Sequence, residues 1–121
     1  MVAGCSGASA VQQPTPDPLA ELKALSDACA SFGEVVQGLT ESLDGFTRER
    51  GDKLAVVRRN LDRITHPDLI TARANMSVAL DYWMQATSHR LAFDTAMANA
   101  AQRLAIAQTE TTLSHFKAAC T

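Results

Sequence analysis

Eight apolar residues near the start of the chain constrain its fold more than any other feature. Leu22, Leu25, Cys29, Phe32, Val36, Leu39, Leu43 and Phe46 follow one another at alternating spacings of three and four. That spacing puts one apolar stripe along a helix and suits left-handed packing against neighbouring helices. Asp17 is a good N-cap and Pro18 suits the first helical position, so the helix is expected to begin there. Gly33, Gly38 and Gly45 lie off the seam, and each weakens a helix by up to ~1 kcal/mol relative to Ala. A kink at one of them is allowed for.

The stripe recurs. Gly51-Asp52 reads as a stop and a start, after which Leu54, Val57, Leu61 and Ile64 repeat the spacing. Pro67 disfavours helical geometry at His66, and Thr65 with Asp68 resembles a capping box with Asp in place of Glu. A third helix carries Leu69, Ala72, Met76, Leu80, Trp83 and Leu91. From Phe93 the stripe changes phase and becomes Phe93, Met97, Ala100, Leu104 and Ala107. A turn is therefore expected between about 87 and 93. At 100° per residue, Leu113, Phe116 and Cys120 fall opposite the Phe93 stripe. The last helix must bend near Thr109–Thr112 or be buried on two sides.

With 121 residues, one domain is the expectation, and 46% hydrophobic residues suffice for a core. The fold class expected is all-α: an antiparallel up-down-up-down four-helix bundle over residues 18–121. The alternative is a three-helix bundle in which the second and third helices fuse through a kink at Pro67. The two differ at Cys29 and Cys120. Four helices bring the chain end back to the lower part of the first helix, where Cys29 lies on the seam. Three carry Cys120 away from it. A Cys29–Cys120 disulfide is expected on the four-helix path.

Residues 1–17 have a different character. Val2-Ala3-Gly4-Cys5 is followed by a small, polar, Pro-rich stretch ending Pro14-Thr15-Pro16-Asp17-Pro18. The tetrapeptide resembles the lipobox of bacterial lipoproteins, in which the cysteine becomes the first mature residue and carries lipid. The stretch after it reads as a flexible tether. The resemblance implies lipidation of Cys5, a longer leader in the native precursor, and a place in the bacterial cell envelope. The anchor would sit on the outer side of the cytoplasmic membrane or in the periplasm. With Cys5 lipidated, Cys29 and Cys120 form the even pair that an oxidising compartment favours.

A formal net charge of −2 and a pI near 5.8 give no reason to expect nucleic acid as a partner. His66, His89 and His115 share no helical ligand spacing, and Met76, Met84 and Met97 read as core filler, so no metal or cofactor is expected. No G-x-S-x-G or SxxK stands out and no Gly-rich phosphate loop appears, and Glu34, Glu41, Asp44 and Glu49 read as the wet face of the first helix. The expectation is not an enzyme. Arg48, Arg50, Lys53, Arg58, Arg59 and Arg63 cluster locally, interrupted by Glu49, Asp52 and Asp62, and offer a basic contact patch for anionic headgroups or an acidic partner. The function expected is a lipid-anchored interaction protein that binds another envelope or invading protein, as in superinfection exclusion, immunity or an accessory subunit. The alternative is a carrier for a small lipid or cofactor, with a pocket between the helices.

Overall fold

The computed structural model describes residues 17–121, and among them the protein is all-helical. Four helices follow in order: α1 Pro18–Ser42, α2 Arg50–Asp62, α3 Ile70–Leu91 and α4 Thr95–Cys120. A short 3₁₀ turn, Pro67–Leu69, precedes α3. The tether, including Cys5, lies outside the described residues.

α1 begins as the sequence expects. The Asp17 side chain accepts the Leu19 N–H at 3.0 Å, and Pro18 occupies the first helical position. The helix passes Gly33 and Gly38 without interruption and stops at Ser42, short of the expected seam end at Phe46. Gly45 adopts φ +67°, where a side chain would be strained, and the chain turns there. Gly38 sits where α1 approaches α2: a Cβ at that position would lie 3.5 Å from the Val57 methyl Cγ2.

α2 and α3 are separate helices that pack against each other, so the fused three-helix alternative does not describe the chain. The cap between them is not Thr65. His66 Nδ1 accepts the Asp68 N–H at 3.1 Å and so caps the 3₁₀ turn itself.

Each helix contacts its neighbour in sequence, and α4 closes back onto α1. Arg58 in α2 donates to Ser77 and pairs with Asp81 in α3, while Arg73 in α3's first turns reaches the Ile64 carbonyl past the end of α2. Arg90 near the end of α3 binds Asn99 and Gln102 near the start of α4. The middle of α1 meets late α4 through stacked Phe32 and Phe116 rings, 4.7 Å between centroids. One turn away, the sulfurs of Cys29 and Cys120 lie at disulfide distance, 2.05 Å, with Cα atoms 5.9 Å apart.

The core is built from Phe32, Val35, Leu39, Leu54, Val57, Leu61, Ile64, Leu69, Met76, Leu80 and Trp83, joined by small residues. The α2 stripe is buried as expected. So is the α3 stripe from Leu69 to Trp83, but Leu91 is exposed. α3 and α4 make the most extensive pairing. Its seam is Ala72, Ala79 and Ala86 against Ala98, Ala101 and Ala105, all nearly inaccessible. Small side chains let two helix backbones approach closely.

Threonines take part in the same seam because their hydroxyls are satisfied locally. Thr112, fully buried, donates to the Gln108 carbonyl at 2.9 Å, and Thr87 to the Trp83 carbonyl at 2.9 Å. Thr109 donates to the Ala105 carbonyl and accepts the Trp83 indole N–H at 3.1 Å.

Candidate interaction surface

The seam of α4 overturns the sequence expectation for that helix. Its buried face runs through Ala98, Ala101, Ala105 and Thr112 and continues to half-buried Phe116 and Cys120. The stripe expected to be core points outward instead. Phe93 is 91% exposed, Met97 51% and Leu104 51%. Ile106 and Leu113, on the other flank of the helix, are 43% and 37% exposed. No bend is needed near Thr109–Thr112, because α4 is one continuous helix. Phe116 and Cys120 lie opposite the Phe93 stripe because they are on the inside and the stripe is not.

Burying alanine while exposing Met, Leu and Ile reverses the usual order of burial. The close α3–α4 approach explains it, since no space remains at that seam for a longer side chain. The larger residues are displaced to both flanks of α4. The turn before α4 adds to the effect. Phe93 holds φ +60°, a conformation that costs a bulky residue ~1–2 kcal/mol. Asp94 caps α4 by accepting the Met97 N–H at 3.2 Å. The turn at Ala92–Asp94 falls at the far end of the expected interval and presents the Phe93 ring to solvent.

The basic cluster does not form one surface. Arg50 is buried, and its guanidinium donates to the carbonyls of Leu43, at 3.1 Å, and Gly45, while lying 5.3 Å over the Phe46 ring. It satisfies the carbonyl end of α1, which has no basic residue in its own last turn. Burial, and then the nearby Arg90 charge, lower its pKa. Its Nε is the one buried side-chain nitrogen or oxygen without a hydrogen-bond partner among the described residues. Arg58 is committed to Ser77 and Asp81. Arg48, Lys53, Arg59 and Arg63 remain exposed. Of the six, two are therefore structural.

The other candidates are dispersed. His115 is exposed, His89 stands 4.0 Å from Asp94, and His66 serves the turn described above. Met76 is sealed in the core. Among the described residues, no three His, Cys, Asp or Glu side chains are grouped as metal ligands would be. Glu34, Glu41, Asp44 and Glu49 are all exposed. No described helix is long and apolar enough to cross a membrane.

Two shallow open grooves lie on the surface of the described residues. One, about 630 Å³, runs between the first turns of α1 and the His66–Asp68 turn, past Leu22 and Leu25. Leu22 stands 64% exposed there, so the first helix seam is not buried along its whole length. The other, about 580 Å³, follows the outer face of α4 from Glu110 to Thr121.

No protein-family model matches the chain, and no curated protein or solved structure matches it either.

Proposed function

We propose that residues 18–121 form an up-down-up-down four-helix bundle, held at a membrane by lipid on Cys5, that acts without catalysis by binding another protein. The order of contacts around the helices supports the topology. The Val2-Ala3-Gly4-Cys5 resemblance supports the anchor and the bacterial cell envelope as the place of action. The observation that carries the binding role is the solvent side of α4, where Met97 and Leu104 on one flank and Ile106 and Leu113 on the other lie exposed around a seam of buried alanines. Such a face in a small domain marks an interaction surface.

A carrier of a small lipid or cofactor is the second reading. It would use the groove beside Leu22 and Leu25. That groove is open and shared with Glu21, His66 and Asp68, whereas small-molecule sites enclose most of their ligand in an apolar pocket.

The test is expression with a native leader and radiolabelled palmitate. Label and membrane fractionation are expected for the protein and absent for Cys5→Ser. Label retained by Cys5→Ser would overturn the anchored reading.

A further inference from the structure

We infer that the outward face of α4 is built to pair antiparallel with α4 of a second copy of this chain. The inference rests on the reading of that face as an interaction surface and names its occupant. Arg103 and Glu110 stand one heptad apart on the outward side of α4, both exposed. Neither has an ion-pair partner among the described residues. Seven residues separate them by about 10 Å along the helix, too far to pair with each other. A two-fold axis midway between them reverses the second helix. It sets Arg103 against Glu110 of the second copy and Glu110 against its Arg103. A symmetric pair of this kind needs one surface complementary to itself, and this one is.

A second feature fits the same axis. Ile106 lies beside it, so the two exposed Ile106 side chains meet at the centre. Phe93 lies about 20 Å from it along the helix direction. The groove lined by Glu110, Leu113, Ser114, Lys117, Ala118 and Thr121 lies on the other side of the axis and spans about 5–22 Å from it. The ring that the φ +60° turn holds out from one copy therefore comes over the groove of the other. Small residues lie along the line of approach, Ala96, Ala100, Ala107 and Ser114, with Met97 and Leu104 on one flank and Ile106 and Leu113 on the other. An interface one helix wide, about 39 Å long, is at the small end for stable complexes, so a weak, concentration-dependent dimer is expected.

The experiment is sedimentation equilibrium of the full chain carrying Cys5→Ser, from about 1 µM to 1 mM, a range that brackets the affinity expected of a small interface. A monomer–dimer equilibrium is expected. Arg103→Glu and Glu110→Arg should each weaken it at least about tenfold, and the double variant should restore it to within about threefold, as repulsion and its relief across an interface require. Circular dichroism checks that each variant is folded. Ile106→Cys, on the same background, should oxidise to a covalent dimer through the two-fold axis. A chain that stays monomeric to 1 mM, or a dimer indifferent to both reversals, would overturn the pairing. So would a double variant no tighter than the singles. Any of these results leaves the lipid anchor standing, because palmitate labelling reads Cys5 alone.

Discussion

Enlarging a buried alanine of α4 should cost this protein far more than deleting a large apolar side chain from the same helix. Ala105 is fully inaccessible and lies in the α3–α4 seam, where buried alanines of both helices let the two backbones approach closely. Ala105→Leu places three more carbons into that contact. The helices must separate or the side chain must leave its rotamer, and overpacking of this kind costs about 1–3 kcal/mol. The Trp83 indole bond to Thr109 lies one turn along the same seam and should loosen with it. Leu104, the next residue back, is half exposed and outside the core cluster. Leu104→Ser should change monomer stability by no more than about 0.5 kcal/mol, as surface substitutions do. Urea unfolding followed by circular dichroism, at low protein concentration so that association does not contribute, measures both. In a domain near 100 residues, 2 kcal/mol corresponds to a midpoint shift of roughly 8–16 °C in a thermal melt. Tryptophan emission reports the seam directly, since Trp83 is the only one in the chain. If Leu104→Ser proves the costlier change, the Phe93–Leu104 stripe is the core face and the description of α4 given above is wrong.

Two further outcomes follow from other parts of the fold. Reduction of Cys29–Cys120, which closes 91 residues of chain, should lower stability by up to ~4.6 kcal/mol on the chain-entropy account, with helicity retained because the core does not depend on the bond; a thiol assay on denatured, unreduced protein should find Cys5 alone. Arg50→Ala should cost about 1–3 kcal/mol, since it strips the Leu43 and Gly45 carbonyls of their donor, and Arg59→Ala, an exposed neighbour on the same helix, should cost almost nothing in the same unfolding assay.

How much of this was legible beforehand differs by helix. The start of α1, the α2 stripe, the break at Pro67 and the α3 stripe to Trp83 follow from periodicity and caps, because large aliphatic side chains there have only one way to leave water. The meeting of Cys29 with Cys120 also followed, from a count of helices and the seam position of Cys29. α4 did not. Its heptad of large residues marks a face, but periodicity carries no sign for inside or outside when alanines supply a second face. Only the separation of the helix axes decides between them, and that separation is set jointly by Ala72, Ala79 and Ala86 of α3 with Ala98, Ala101 and Ala105 of α4. Arg50 was equally unreadable. In sequence it is one of six basic residues, and it becomes a helix cap because the Gly45 turn carries the end of α1 back to within reach of its guanidinium. Local spacing determined that this chain makes amphipathic helices and where most of them start. Close packing, which depends on pairs of residues far apart in the chain, decided which faces meet and which apolar side chains were left in water.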